Sequence, residues 1–159
     1  MTEAELKKHL DAAEKSPKEI AAAVSGLPDQ VLRYKPAPDK WSVTEILAHL
    51  ADAEIVLAWR MRSILGSPGT SIQAFDQDAW VAAGRYGQRD PRKCLEQFRV
   101  VREANLALLK SLSPDQWKHF GMHAERGQET IEHITRMMAG HDINHLRQIE
   151  GILAAPRRK

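Results

Sequence analysis

Cysteine is almost missing from this chain: Cys94 stands alone among 159 residues. No intrachain disulfide can form, and a lone thiol suits a reducing compartment. Long apolar runs are missing too. No segment approaches the roughly 18 consecutive apolar residues of a membrane span, and the polar stretch Met1–His9 contains no signal-peptide core. The cytoplasm is therefore the expected location, with no membrane partner. Strong charge of either sign is absent, since the formal net charge is +2. The only basic cluster is the tail Arg157, Arg158 and Lys159, which reads as a solvated end, so a nucleic-acid partner is not expected. There is no internal repeat, no low-complexity tract and no segment with the period of a strand.

What is present suits one domain. Hydrophobic residues make up 43% and charged residues 28%, which allows a real core under an ordinary surface. Residues 1–155 are expected to form that domain, with 156–159 as a basic tail.

Apolar residues recur at helical spacing in four long stretches. The first covers about 3–26, with Leu6, Leu10, Ala13, Ile20 and Val24 as its stripe. Pro17 interrupts it: either Ser16 caps a fresh start with Glu19 at the third position, or one helix kinks there. A connector with three prolines follows. Ser42-Val-Thr-Glu45 then forms a capping box, with Trp41 placed to pack back over the first turn. That second helix should end near Leu65. A loop and a short turn at 76–81 lead to Asp90-Pro91, a cap and first-turn proline for a third helix ending near Leu112. The fourth begins near Gln128 or Glu129 and runs to about Ala154. The fold class expected is all-α, a four-helix bundle, with connectors long enough for crossovers.

Chemistry enters on the last helix. Ile131, Ile134, Met138, Ile149 and Ile152 share one face. Between Met138 and Ile149 the same face carries His141, Asp142 and His145. Burying these without partners would cost at least about 1–3 kcal/mol for each unsatisfied group, so something must compensate them. His141 and His145 are four residues apart, so their rings stack on one side of the helix, as in a metal-binding pair. On the second helix, Val43, Ile46, Leu47, Leu50, Leu57, Met61 and Ile64 form the core stripe and His49 lies at its edge. There it can reach a shared ion, or it can be a half-exposed histidine bonded to solvent, Glu45 or Asp52. His9, His119, His123 and His133 read as surface residues.

The segment from Pro36 to Glu54, containing Trp41-Ser-Val-Thr-Glu45 and Ala48-His49-Leu50, resembles the second-helix signature of the DinB-like superfamily, which includes YfiT-type metal-dependent hydrolases. Gly140-His141-Asp142-Ile-Asn-His145-Leu-Arg-Gln-Ile149 is similar to that superfamily's last-helix motif. The resemblance implies a crossover four-helix bundle, frequent homodimers, and a divalent ion such as Ni²⁺ or Zn²⁺ on His49, His141 and His145. It also implies that some relatives use a low-molecular-weight thiol, such as bacillithiol or mycothiol, as co-substrate.

Three imidazoles leave open positions on an ion, the pattern of catalytic rather than structural sites. An ion so held lowers the pKa of a water or a thiol, giving hydrolysis or S-transfer on a small-molecule substrate. The glutamate of the His-Glu-x-x-His motif is replaced by Asp142, which tilts the balance toward thiol transfer. Asp142 could orient a ligand histidine or pair with Arg60 or Arg147. Glu45, Asp52 and Asp76 are further candidates for base or supporting roles. Cys94 reads as a small core residue. The four tryptophans read as packing, with Trp80 and Tyr86 candidates for a substrate entrance. A non-catalytic binding module and a purely structural bundle are the competing readings.

Overall fold

The computed structural model describes residues 1–155; the basic tail expected at 156–159 lies outside the described residues. Four long helices carry the fold: α1 (Glu3–Val24), α3 (Val43–Gly66), α5 (Pro91–Lys110) and α6 (Ile131–Ala154). Two short helices, α2 (Asp29–Leu32) and α4 (Gln77–Ala83), sit in the connectors. The caps follow the sequence. Ser42 and Glu45 exchange both bonds of the capping box, Asp90 caps α5 ahead of Pro91, and Asp76 caps α4.

Each long helix packs mainly on two others. α1 lies against α5 and α6, and α3 lies against the same pair. The order around the bundle is therefore α1, α5, α3, α6. The successive long helices α1 and α3 stand across the diagonal, as do α5 and α6, so the proline-rich connector and the 111–130 segment cross the end of the bundle instead of closing hairpins.

Helix α1 is continuous through Pro17, which resolves the two readings of that segment. Proline has no N–H to give to the carbonyl four residues back. That carbonyl, of Ala13, instead accepts a bond from Arg102 Nη1 at 2.9 Å. Ser16 does not start a new helix; its hydroxyl bonds Ala12 O at 2.8 Å.

The expectation of no strands needs correction. β1 (Ser71–Ile72), β2 (Phe120–His123) and β3 (Gly127–Thr130) form a small sheet. β2 is central, parallel to β1 and antiparallel to β3. Strands of two to four residues are too short to show a period of two. The residues expected to open the last helix, Gln128 and Glu129, belong to β3, and α6 starts at Ile131 under a Thr130 cap. His123, expected at the surface, is buried, because β2 turns alternate side chains under the sheet. His119 is half-buried.

The core falls into two apolar clusters. Ile20, Ile46, Leu50, Phe98 and Ile149 belong to one, and Met61, Ile64, Leu109, Ile131 and Met138 to the other. Between them lies a buried polar layer. Arg102, 1% exposed, grips Glu54 through Nε (2.9 Å) and Nη2 (2.7 Å) and Asp142 through Nη1 (2.5 Å). Asn105 Nδ2 donates to Glu54 Oε1 at 2.8 Å, and the Arg102 guanidinium lies over the Phe98 ring at 4.8 Å. One buried cation faces two buried carboxylates here, and Arg62 reaches the layer from its exposed side, with Nη1 donating to Asn105 Oδ1 at 2.8 Å.

Candidate metal centre

His49 comes from α3, and His141 and His145 from α6. The interruption of the α6 stripe thus meets a neighbouring helix. His141 Nε2 lies 2.9 Å from His49 Nε2 and 3.2 Å from His145 Nε2. The three donor atoms all lie within 4.8 Å of one another. A tetrahedral ion with bonds of about 2.0–2.1 Å places neighbouring nitrogens roughly 3.3 Å apart, so the two separations from His141 Nε2 are close to the edges of one coordination sphere.

Hydrogen bonding alone does not satisfy this arrangement. His145 Nδ1 lies 2.9 Å from Gln148 Oε1; the amide oxygen can only accept, so Nδ1 carries the proton and Nε2 of the neutral ring bears a lone pair. His141 Nε2 faces two other ring nitrogens and has at most one proton to share. Burial, with repulsion from His141 and, for His49, from His145 as well, holds His49 down to about 3 and His145 to about 4, so both are neutral at pH 7. Asp52 opposes the shift on His49.

Asp142 pairs with Arg102 and not with Arg60 or Arg147. Its Oδ1 stands 3.8 Å from His141 Nδ1, close enough to orient that ring electrostatically. Burial disfavours its ionised form, yet His141 and Arg102 together hold the carboxyl below the ordinary carboxylate range. Glu45 is engaged by the Ser42 amide at 2.7 Å and Lys35 at 3.2 Å. Asp52 accepts from Tyr86 Oη at 2.7 Å and Arg89 Nη1 at 2.9 Å, fastening the 86–89 segment to α3. Asp76 takes the amides of Asp78 and Ala79. Asp142, Glu45 and Asp52 thus have both oxygens engaged, whereas exposed Asp76 lends only Oδ1 to its cap and keeps Oδ2 free.

Other residues take unexpected roles. Trp41 forms a wall of the histidine site: its ring is 5.0 Å from that of His49 and stacks 6.2 Å from that of His145. Its Nε1 donates to Asp78 at 3.1 Å, tying α4 to the site. Gln148 was open to discovery as the i+3 neighbour of His145. Arg102, Glu54 and Asn105 escaped notice because a helical period does not reveal partners on other helices. Tyr86 is buried against Asp52 and lines no entrance. Trp80 packs on Phe75 at 4.7 Å. Trp59 is 73% exposed and is not a packing residue. Cys94 is buried in the core, and burial raises its thiol pKa.

A cavity of about 510 Å³ opens beside the triad, with His49 and His141 at one end. A crossover four-helix bundle with three convergent imidazoles on two packed helices defines a class of helical proteins organised round a histidine cluster. Residues 12–149 match the family model of the DinB superfamily, and the chain belongs to that superfamily.

The chain is 24% identical over 143 residues to "Putative metal-dependent hydrolase YfiT" of Bacillus subtilis, spanning 89% of this chain and 80% of that protein. It is 21% identical over 131 residues to "Putative metal-dependent hydrolase OB0413" of Oceanobacillus iheyensis, spanning 82% and 75%. The solved structure of YfiT, described as a probable metal-dependent hydrolase with an unusual four-helix bundle topology, shares the fold with a TM-score of 0.90. The identity is 22%, over 96% of this chain and 87% of that one. A mycothiol-dependent maleylpyruvate isomerase shares it with a TM-score of 0.74 at 14% identity, over 91% of this chain and 60% of that one. Among the described residues no helix is long and apolar enough to cross a membrane.

Proposed function

We propose that the protein is a metal-dependent enzyme that holds one divalent ion, Zn²⁺ or Ni²⁺, on His49, His141 and His145 and hydrolyses a small-molecule substrate. The observation that carries this reading is the packing of three Nε2 atoms against one another without enough protons to bond them. A cation relieves that conflict, and the ionised Asp142 carboxylate beside His141 favours it. Bound there, such an ion supplies Lewis acidity and a lowered pKa for a nucleophile at an open position. Asp142 orients His141, Gln148 fixes the tautomer of His145, and Trp41 shields the rings from water. The names of the two hydrolase relatives support the reaction class.

Activation of a low-molecular-weight thiol for S-transfer is the second reading. It is favoured by the engagement of both oxygens of Asp142, Glu45 and Asp52, which leaves Asp76 alone of the four with a free oxygen, and by the mycothiol-dependent neighbour in fold. A homodimer in the cytoplasm belongs to the same proposal, and sedimentation of the purified protein tests the dimer.

Calorimetric titration with Zn²⁺ and Ni²⁺ tests the site. One ion should bind per chain, and His145→Ala should weaken it by about a hundredfold or more. Unchanged affinity in His145→Ala refutes the metal site. Turnover of a panel of esters and amides, and of chlorodinitrobenzene with several thiols, should appear with metal and vanish on chelation; the arm that turns over decides between water and thiol.

A further inference from the structure

We propose that the cavity beside the triad takes a small-molecule carboxylate, its apolar body along the cavity wall and its carboxylate on Arg60 and Arg126; placing the reacting end of that molecule at the histidines rests on the metal-site reading above.

The cavity follows one face of α3. His49, Ala53, Val56, Leu57 and Arg60 line it, at offsets of three or four residues that keep them on one side of the helix, with Val56 and Leu57 flanking its midline. From His49 to Arg60 is about 16 Å of helix rise, and an arginine side chain leans back toward the helix N-terminus. That leaves on the order of 10 Å between guanidinium and imidazoles. Met137 and Met138 of α6 supply the opposite apolar wall. The cavity is thus cationic at one end, histidine-lined at the other and apolar between.

Arg60 is the informative residue. It is 7% exposed, yet no carboxylate of the described residues forms an ion pair with it. Its protein partners are the Gln73 carbonyl, on Nη2 at 2.7 Å, and the face of Phe75 at 5.7 Å. A buried charge without a counter-charge is costly, and an arginine stays protonated even there. Burial, with repulsion from Arg126, lowers its pKa, and the more distant Glu129 carboxylate only partly opposes the shift. Arg126, also lining the cavity, is neutralised by Glu129 at 2.5 Å, so the pair leaves the charge of Arg60 uncompensated. The two acids on the same lining, Asp76 and Asp78, accept through Oδ1 from the α4 amides and from Trp41, and neither pairs with Arg60. One free guanidinium edge matches the two oxygens of a carboxylate.

Two pairs of probes test this. Metal-free protein is melted with octanoate or with octanamide, and zinc-loaded protein is titrated with octanohydroxamate or with the monohydroxamate of suberic acid, whose far end is a carboxylate. Octanoate should raise Tm where octanamide does not, and the acid-ended hydroxamate should bind roughly tenfold more tightly or better. Arg60→Gln should abolish both preferences while zinc affinity is kept. Arg126→Gln should do the same, because it removes the second donor and frees the buried Glu129 to pair with Arg60. Equal response to the charged and uncharged member of either pair, or preferences that survive in both variants, overturns the proposal. If zinc fails to bind but octanoate still acts through Arg60, the metal reading falls and the carboxylate site stands.

Discussion

Replacing Arg102 with methionine removes the buried cation of the polar layer and leaves its dependants stranded. Glu54 and Asp142 are each 1% exposed as side chains, and each loses its charged partner. The Ala13 carbonyl loses its donor as well, and Pro17 cannot replace it. Breaking a buried ion pair from one side costs about 3–5 kcal/mol. For a chain of this length each kcal/mol moves Tm by about 2–4 °C, so Tm should fall by roughly 6–20 °C. The loss should depend on pH. Orphaned buried carboxylates have raised pKa values, so the variant takes up protons on folding and recovers part of its stability as pH falls from 8 toward 5. Urea unfolding of wild type and Arg102→Met at both pH values measures this. A companion carrying Arg102→Met, Glu54→Leu and Asp142→Leu together, which leaves no charge behind, should be more stable than the single variant. A loss under about 1 kcal/mol at pH 8, or a deficit unchanged by pH, would refute the account of the layer.

Two further outcomes follow from local geometry. His49 and His145 have folded pKa values of about 3 and about 4, against the ordinary histidine value of 6.5 that the unfolded chain restores. Above pH 6.5 neither state binds the protons; below it the unfolded chain binds more, so the metal-free protein should lose stability as pH falls from about 6.5 through 4, and a flat profile in denaturant titrations across that window contradicts the burial of these rings. At Gly121 an added Cβ would stand 2.6 Å from Ile72 Cδ1 and 3.0 Å from Ile64 Cγ1. Gly121→Ala should therefore destabilise by about 1–3 kcal/mol, read by thermal unfolding; a neutral effect would show that the sheet does not press on α3 there.

The helices and caps were legible because each is a local property: Ser42 and Glu45, or Asp90 and Pro91, act within one turn. The break in the α6 stripe was legible for the same reason, and it led to His141 and His145. Partners were not legible. The inward face of α5 carries Arg102 and Asn105, that of α3 carries Glu54, and α1 offers the carbonyl that Pro17 leaves free. Each is an isolated irregularity on its own helix; only the bundle aligns them at one level. The same alignment explains why His49 could not be decided from its stripe alone. Its ring is 3% exposed because α6 places His141 and His145 against it, and α6 tolerates those residues because Asp142, one position along, is anchored by Arg102. The polar layer and the histidine cluster are thus two faces of one break in the core, joined through the adjacent residues His141 and Asp142. A chain that filled the break with aliphatic side chains would pack the bundle more simply, but it would lose the negative charge that stands 3.8 Å behind His141.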